Sequence, residues 1–498
     1  MTRRLTTPPL LATTIAVLLP FCFQAVFADD RPFKTDVFVS GSGGYYSYRI
    51  PAVIVTPKGE LLAFCEGRKS SRSDHGDLDL VLRRSTDNGQ TWMPMQLVYE
   101  EGGDAKITIG NPCPVVDRDT GRIWLPFCRN NDQVLVTFSD DDGRTWAKPV
   151  EITESVKQPG WNWYATGPGV GIQLVRGKYK GRLVIPCDHS QQTDGKRTMY
   201  SHLFFSDDHG KTWQLGGTVD RHTDECQVVE LRDGRLMMNM RNYWGREGKQ
   251  PEKDKMRAVA LSRDGGLNWE TLGFDQALIE PICQGSLLQY PAKGDTGQGW
   301  LLFSNPASRT KRHRLTVRLS RDEGRTWSVG MRLHGGPSAY SCLTVLPGGS
   351  IGCLYEGGEK NAYERIVFAR FSLETLDQKN GADDAVIKEI TGFKLPPVAR
   401  LAGFRRTKPT VIENRPSLVK IFTAEALPRI DKQVDIGKQV LVFFRWSGSG
   451  QDRLTYTIQK QAAKTKVVFS HRRGRTRDLR RHARLFAIGR HVTWEVSK

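Results

Sequence analysis

Short apolar runs of strand length recur along the chain, and turn residues follow each of them. Five of these runs read VLRRS, VLVTFS, HLFFS, AVALS and TVRLS, and each ends at a serine. β-Branched and other apolar residues in runs of this length are typical of strands. No stretch shows the sustained periodicity of an amphipathic helix. The pattern predicts an all-β fold.

An eight-residue turn pattern begins at each of those serines: Ser, any, Asp, any, Gly, any, Thr, Trp. Ser and Asp side chains can bond backbone amides within a turn, Gly permits positive φ, and Trp can bury a large area on a neighbouring sheet. The copies are Ser85–Trp92, Ser139–Trp146, Ser206–Trp213, Ser262–Trp269 (with Asn268 in place of Thr) and Ser320–Trp327. Successive copies start 54 to 67 residues apart, which suits a four-stranded propeller blade with its loops. Six such units fit between about residues 35 and 373, so the repeat predicts a six-bladed β-propeller.

The composition excludes two classes of protein and suggests a third. Hydrophobic residues make up 38% and charged residues 26% of the 498 residues, which excludes a membrane protein and a disordered chain. The net charge of +19 suggests a polyanionic partner such as a nucleic acid. However, residues 431–498 hold 16 Lys and Arg against 5 Asp and Glu, so most of the excess lies at the C-terminal end.

The first 28 residues are predicted to be a secretory signal peptide. Arg3 and Arg4 precede an apolar stretch that ends in small residues near Ala28, where cleavage is expected. This stretch is short and interrupted for a membrane anchor, and no later stretch is long enough to span a bilayer. We therefore expect an exported protein, periplasmic or secreted, with no membrane span.

Eight cysteines follow the signal peptide, and no two of them have zinc-ligand spacing. Export permits disulfides. Eight cysteines are nevertheless sparse for a chain of this length, and most of them adjoin apolar residues, as in LPFC and VIPC. The sequence favours buried free thiols over a disulfide framework.

Five separated segments carry unusual polar residues beside predicted strands. They are YSYRIPAVIV with Arg49, LLAFCEGRKSSRSDHGD with Arg68 and Asp74, TDECQVVELRDGRLMMNMRN with Glu225 and Arg241, NPASRTKRHRLTVRLS with Arg312, and GPSAYSCLTVLPGGSIGCLYEGG with Tyr340 and Glu356. Together with the turn boxes, they resemble the exo-α-sialidases, or neuraminidases, over about residues 35–373. The YRIP motif, the 19-residue step from Arg49 to Arg68 and the short step to Asp74 are specific matches, as are ECQVVEL, NPAS and SAYSCL.

The resemblance implies retaining hydrolysis of terminal α-linked sialic acids from glycoconjugates, through a tyrosyl intermediate. Tyr340 would be the nucleophile, because a neutral phenol avoids repulsion by the substrate's carboxylate. A phenol is a weak nucleophile at its ordinary pKa of about 10. Glu225 would therefore act as its base. Asp74 would protonate the leaving oxygen and later activate water.

The resemblance also implies the binding residues. Arg49, Arg241 and Arg312 would hold the carboxylate, because guanidinium groups stay charged and bind carboxylates in a planar fork. Arg68 would support binding near the 4-hydroxyl, and Glu356 would orient Arg49. Asn111 lies where relatives line the pocket. No metal or other cofactor is implied.

Several of these assignments have competing neighbours. Asp77 and Asp79 follow Asp74, and Glu230 follows Glu225 on a predicted strand, where structural pairing is its expected role. Three further arginines, Arg309, Arg314 and Arg318, surround Arg312. Trp161, Trp163 and His189 either contact the acyl or glycerol groups or belong to the framework.

The composition and the residue pattern of the sequence change after Leu373. We predict a propeller over residues 29–375, an extended, proline-containing connector over 376–428 and a small basic β-rich module of unknown role over 429–498. The basic run RRGRTRDLRRHAR in this module is a solvated face or a polyanion site.

Alternative functions are a catalytically silent glycan-binding propeller, a trans-sialidase or intramolecular lyase of the same family, and a polyanion-binding protein. The motifs favour sialylated glycans or other sialosides as partners of a monomer, with no nucleic-acid partner expected.

Overall fold

The computed structural model describes residues 32–244, 253–270, 272–291, 299–328, 330–376, 386–391 and 409–431. It also describes residues 433–497 except 435, 438, 450–451, 462–463, 475–478 and 491. The predicted signal peptide lies outside these ranges. Within them, no helix is long and apolar enough to cross a membrane.

Antiparallel sheets follow one another from Phe33 to Phe371, as the apolar runs predict. After β1 (Phe33–Val39), the first sheet has the order β2 (Ser47–Val55), β3 (Leu61–Arg68), β4 (Leu78–Ser85) and β5 (Gln96–Tyr99). The second contains β6 (Ile109–Gly110), β7 (Val115–Val116), β8 (Ile123–Arg129), β9 (Gln133–Ser139) and β10 (Val150–Glu151). A one-turn helix, Thr153–Val156, leads to the third sheet.

The third sheet contains β11 (Trp161–Thr166), β12 (Ile172–Gln173), β13 (Leu183–Thr193), β14 (Lys196–Ser206) and β15 (Gln214–Thr218). The fourth has the order β16 (Thr223–Glu230), β17 (Leu236–Asn242), β18 (Met256–Ser262) and β19 (Gly273–Ile279). The fifth contains β20 (Ser286–Tyr290), β21 (Trp300–Pro306), β22 (His313–Ser320), β23 (Met331–Val345), β24 (Ile351–Gly357) and β25 (Arg365–Phe371).

The fifth sheet has seven strands because β23 belongs to two pairings. Its first part pairs with β22, where Met331 lies opposite Val317, and its second part pairs with β24, where Val345 lies opposite Ile351. The N-terminal strand β1 completes this sheet by pairing with β25. The first and last parts of the repeat region are thus joined by backbone hydrogen bonds.

The sheets form a closed ring. Strand β6 contacts the first sheet, β11 contacts β8, β16 contacts β13, β20 contacts β16, and β2 contacts β23. A ring of radially arranged antiparallel sheets is a β-propeller. The predicted all-β propeller is confirmed, and its innermost strands converge on one central region.

The turn boxes behave as the sequence predicts. In the second box, Ser139 Oγ donates to Asp141 Oδ1 over 2.8 Å, and Asp141 Oδ1 accepts from the Thr145 amide over 2.9 Å. Its Trp146 packs edge-on against Phe64 of the first sheet. Each of the other four box tryptophans likewise contacts a residue of the preceding sheet around the ring. The boxes therefore tie adjacent sheets together at the outer ends of their hairpins.

The C-terminal residues form two further sheets with their own apolar clusters. One has the order β26, β31, β28, β27 and the other the order β29, β30, β32. The strands are β26 (Ile387–Ile390), β27 (Thr410–Ile412), β28 (Gln439–Ser449), β29 (Arg453–Gln461), β30 (Lys464–Arg472), β31 (Leu479–Gly489) and β32 (Thr493–Val496).

The described parts of residues 376–428 differ from the extended connector that we predict. Strands β26 and β27 join the C-terminal sheet, and a helix, Arg415–Ile421, begins at the cap residue Asn414 with Pro416 in its first turn. A second helix, Leu427–Asp431, follows. Pro416 and Pro428 each lie in the first turn of a helix, and β26 and β27 belong to the C-terminal sheet, so the C-terminal module begins before residue 429.

The cysteine prediction is confirmed. All eight cysteines after the predicted signal peptide are free and buried. They pack in the propeller core as small apolar side chains.

Candidate active site

A cavity of about 450 Å³ lies where the innermost strands converge. Eight of the nine residues that the sequence places in the site line it: Arg49, Arg68, Asp74, Asn111, Glu225, Arg241, Arg312 and Tyr340. The ninth, Glu356, lies behind Arg49 and contacts it. Residues up to about 290 positions apart in the chain are therefore brought together in one pocket.

Three of the site residues lie in β-bulges of innermost strands. The pairing register shifts around Arg49 in β2, around Glu225 in β16 and around Tyr340 in β23. A bulge interrupts the alternation of a strand and changes the direction of a side chain. Arg49, Glu225 and Tyr340 line the pocket from these irregular positions.

Glu356 fixes the geometry of the bulge at Arg49. Its Oε1 accepts hydrogen bonds from Arg49 Nε over 2.6 Å and from the Ile50 amide over 3.0 Å, and its Oε2 accepts from the Tyr340 amide over 3.1 Å. Ile50 has a φ of 61°, which is unfavourable for a β-branched residue. The buried carboxylate stabilises this strained backbone and holds Arg49 and Tyr340 side by side.

Tyr340 and Glu225 form a direct pair. The Tyr340 hydroxyl donates a short hydrogen bond to Glu225 Oε1, while Arg241 Nη1 lies 2.7 Å from Glu225 Oε2 and 3.2 Å from the Tyr340 hydroxyl. Burial and the charge of Glu225 raise the pKa of Tyr340 well above its usual value, although Arg241 and the other arginines lower it. The phenol is therefore neutral in the free protein, with a base already at its proton.

Two more arginines flank the tyrosine ring. The Arg49 guanidinium carbon lies 5.0 Å and that of Arg312 lies 5.4 Å from the ring centroid of Tyr340. Arg312 also donates to the Tyr363 hydroxyl over 3.0 Å. Three guanidinium groups around one phenol offer the charge and the planar hydrogen-bond donors that a carboxylate requires.

Asp74 lies on the loop between β3 and β4, at the open side of the pocket. Its Oδ1 is 2.9 Å from Arg68 Nη1 and 3.7 Å from Arg49 Nη1, and its side chain is 60% exposed. Partial desolvation of the carboxyl at the pocket mouth raises the pKa of Asp74, but the Arg68 and Arg49 charges outweigh this effect and lower the pKa below its usual value. Asp74 is therefore ionised in the free protein.

Arg68 and Asn111 are joined by a glutamate that the sequence reasoning missed. Glu66 Oε2 accepts from Arg68 Nη2 over 2.6 Å, and Glu66 Oε1 accepts from the Asn111 amide over 2.9 Å. Asn111 has a φ of 58°, which asparagine tolerates better than most residues. Glu66 lies two residues before Arg68 on β3 and therefore on the same face of the strand, so its place beside a buried arginine is the signal that reveals the role.

The structure also separates the competing candidates. Asp77 and Asp79 pair with Lys69 outside the pocket, and Glu230 accepts from the amides of Val175 and Arg176, which confirms a structural role for Glu230. Arg309, Arg314 and Arg318 do not line the pocket, whereas Arg312 does.

The three aromatic candidates divide in the same way. Trp163 lines the pocket, but Trp161 stacks on His189 at 3.4 Å between ring centroids. His189 in turn contacts His202, and neither Trp161 nor His189 reaches the pocket wall. Both belong to the framework of the third sheet.

One group of side chains in the described ranges is spaced to hold a metal ion: Asp117, Asp119 and His209. It lies outside the set of residues that line the pocket. The two carboxylates already accept hydrogen bonds from Thr120, Gln173 and His209. The cluster is thus satisfied by its protein neighbours.

The fold and the spacing of its turn boxes agree with a known domain type. The chain matches the model of the BNR repeat-like domain over residues 59–353, so it is a BNR-repeat β-propeller protein. It is 33% identical over 374 residues to sialidase-2 of Cricetulus griseus, a match that covers 66% of this chain and 93% of that protein. The chain belongs to the sialidase family.

Other relatives are longer than the region they share with this chain. A sialidase of Micromonospora viridifaciens is 33% identical over 459 residues, and the match covers 86% of this chain but 65% of that protein. A sialidase of Bacteroides fragilis is also 33% identical, with 61% of its length covered. The chain thus spans less than two thirds of these two relatives.

Solved structures agree with the propeller fold. A Hadza microbial sialidase is 32% identical, with a TM-score of 0.61 and 69% of each chain covered. A leech intramolecular trans-sialidase, at 18% identity and a TM-score of 0.56, covers 70% of this chain and 71% of its own, and it supports the fold alone.

Proposed function

We propose that the protein is an exo-α-sialidase that hydrolyses terminal α-linked sialic acids with net retention of configuration. The observation that carries this proposal is the Tyr340–Glu225 hydrogen bond beside three pocket arginines. The relatives named as sialidases support the same reaction class. A propeller that only bound glycans would have no use for a buried phenol held against a base.

The first chemical step forms a tyrosyl intermediate. The substrate carboxylate lies on Arg49, Arg241 and Arg312, which places the anomeric carbon near the Tyr340 hydroxyl. Tyr340 Oη bonds to that carbon while its proton passes to Glu225 Oε1, and the bond to the glycosidic oxygen breaks. Asp74 gives its proton to that oxygen, so the aglycone leaves as a neutral alcohol.

The second step returns the enzyme to its starting state. The ionised Asp74 accepts a proton from water, whose oxygen bonds to the anomeric carbon from the side that the aglycone left. The bond to Tyr340 breaks, and Glu225 returns the proton to the phenolate. Two displacements at one carbon give net retention.

Asp74 must gain a proton when substrate binds. In the free protein the charges of Arg68 and Arg49 keep its pKa below the usual value. The substrate carboxylate offsets these charges and therefore raises the pKa of Asp74 in the complex. Substrate binding would in this way prepare the acid that the first step needs.

We further propose six blades, since dividing β23 between its two pairings gives six groups with β1 as the outer strand of the last. Each group has four strand positions, because β6 and β7 both pair with β8, and β11 and β12 both pair with β13. Export through the predicted signal peptide and a monomeric state complete the proposal.

Product analysis tests the function. Purified protein is incubated with sialyllactose, with and without added galactosides, and the products are followed by proton NMR. We expect α-configured free sialic acid as the first product. A 2,7-anhydro product or a new sialoside would indicate a lyase or transferase instead, and no release at all would leave only glycan binding.

The acid role of Asp74 predicts a dependence on the leaving group. Asp74→Asn should lower kcat/KM for sialyllactose about a hundredfold or more, because a sugar alkoxide cannot leave without a proton. An umbelliferyl sialoside, whose leaving group is stable as an anion, should lose far less. Asp77→Asn, in the same loop but paired with Lys69, is the control and should change neither rate by more than about twofold. Equal losses of Asp74→Asn on both substrates would contradict the acid role.

A further inference from the structure

Two buried carboxyl groups in the pocket have no place in the steps above. Asp188 on β13 and Asp224 on β16 both line the cavity and are 1% and 3% exposed. Asp224 Oδ2 lies 3.4 Å from Arg241 Nε, and Asp188 Oδ2 accepts from Trp163 Nε1 over 3.1 Å. The other oxygen of Asp188, Oδ1, is buried and accepts no hydrogen bond from a donor in the described ranges.

A proton shared between Asp188 and Asp224 would give the unpaired Asp188 Oδ1 a hydrogen-bond partner. A buried polar atom without a partner is costly, and two ionised carboxylates side by side repel each other. If Asp188 is protonated, its hydroxyl donates to Asp224, and both atoms are satisfied. Asp224 then remains ionised and paired with Arg241.

The groups around the pair favour Asp188 over Asp224 as the carboxyl that carries the proton. Burial and the charges of Asp224 and Glu225 raise the pKa of Asp188 well above its usual value, although Arg241 lowers it. Burial and the Glu225 charge also raise the pKa of Asp224, but by less than that of Asp188, because Arg241 and the Tyr243 hydroxyl oppose the rise at Asp224. The groups that face Asp188 from the surrounding strands are Cys128, Trp163, Tyr164, Asp224, Glu225, Cys226 and Arg241.

The charge balance of the pocket gives the proton a function. Five arginines and five carboxyl groups line the cavity, and Glu356 behind Arg49 adds another carboxylate. With Asp188 neutral, the arginines balance the carboxylates before substrate binds. With Asp188 ionised, acids outnumber arginines, and a further negative charge acts on Arg241 just where the substrate's carboxylate must bind.

We propose that Asp188 and Asp224 share one proton and act as a single positioning unit that holds Arg241 for the carboxylate of the substrate. The pair carries one negative charge, and Asp188 supplies its proton-bearing half. Neither residue touches the reacting atoms. The consequence for substrate binding rests on the proposed sialidase function, whereas the shared proton does not.

The first test detects the proton without substrate. Infrared difference spectra of wild type and Asp188→Asn at pH 7 should show the carbonyl stretch of a protonated carboxylic acid in wild type alone, with a shift in heavy water. Absence of that band would overturn the inference. This measurement needs no substrate turnover. A protein that released no sialic acid would contradict the proposed function, and the infrared band would still show whether the pair holds a proton.

The second test follows KM and kcat from pH 5 to pH 9. An asparagine can donate to Asp224 and accept from Trp163, so Asp188→Asn should hold KM within about threefold of wild type at pH 7. Asp188→Leu leaves Asp224 and the Trp163 indole without that partner, so KM should rise about tenfold, with kcat changed less.

Wild-type KM should rise at the pH where the infrared band disappears, and Asp188→Asn should lack that rise. An Asp188→Asn variant as impaired as Asp188→Leu would overturn the inference. Glu154→Gln, an exposed carboxyl-to-amide change outside the pocket, is the control.

Discussion

Tyr340→Phe should lower kcat about a thousandfold, a loss of about 4 kcal/mol of transition-state stabilisation. The change removes one oxygen and leaves the ring, whose contacts with Arg49 and Arg312 hold it in place. Substrate binding should persist, since the arginines are untouched, so KM should change far less than kcat. Steady-state kinetics on an umbelliferyl sialoside measure both values.

The matched control is Tyr355→Phe. Tyr355 lies on β24, the neighbouring strand of the same sheet, and its side chain is 1% exposed but does not line the pocket. We expect kcat of this variant within about twofold of wild type. Glu225→Gln should resemble Tyr340→Phe, and the double variant should lose little more, because a nucleophile and its base act as one unit. Wild-type kcat in Tyr340→Phe would exclude the tyrosyl intermediate.

The turn boxes predict more of the fold than the strand sequences do. A box such as Ser139–Trp146 encodes a hairpin turn and its attachment to the preceding sheet within eight residues, so local chemistry predicts a contact between sheets. The sharing of β23 could not be predicted in this way. One continuous strand pairs with two different neighbours. Neither the alternation of apolar residues nor a turn residue shows where the first pairing ends and the second begins.

The candidate site shows the same division. Arg49, Glu225 and Tyr340 could be predicted because they lie in recognisable motifs, but the bulges that orient them leave no trace in the pattern of apolar residues. Ile50, with its positive φ, even contradicts local preference. That strain exists because Glu356, about 300 positions further along, accepts its amide, and contacts at such separations lie beyond local sequence reasoning.

Asp188 and Asp224 were missed for a related reason. Each lies next to a residue that the sequence already made a candidate: Asp188 precedes His189, and Asp224 precedes Glu225. Alternation along a regular strand would send neighbours to opposite faces. The bulge around Glu225 breaks that rule, so both Asp224 and Glu225 line the pocket.

The three arginines around Tyr340 differ in how far their charges are already compensated. Arg49 pairs with Glu356, and Arg241 pairs with Glu225 and Asp224. Arg312, by contrast, contacts neutral groups in the described ranges, the Tyr363 hydroxyl over 3.0 Å and the Ile282 carbonyl over 3.4 Å. Its charge is therefore the one most available to an incoming carboxylate.

Arg312→Ala should accordingly raise KM about a hundredfold, about 3 kcal/mol of lost binding, with a matching loss of affinity for free sialic acid as an inhibitor. Arg312→Lys keeps the charge but loses the planar fork, so it should recover only part of the loss. Arg314→Asn is the control, because Arg314 is exposed, lies outside the pocket and has a φ of 62° that asparagine accommodates. Initial rates over a range of sialoside concentrations give KM, and competition with free sialic acid gives its inhibition constant. Equal KM values for Arg312→Ala and Arg314→Asn would show that Arg312 does not bind the carboxylate, since the two variants remove the same charge two residues apart.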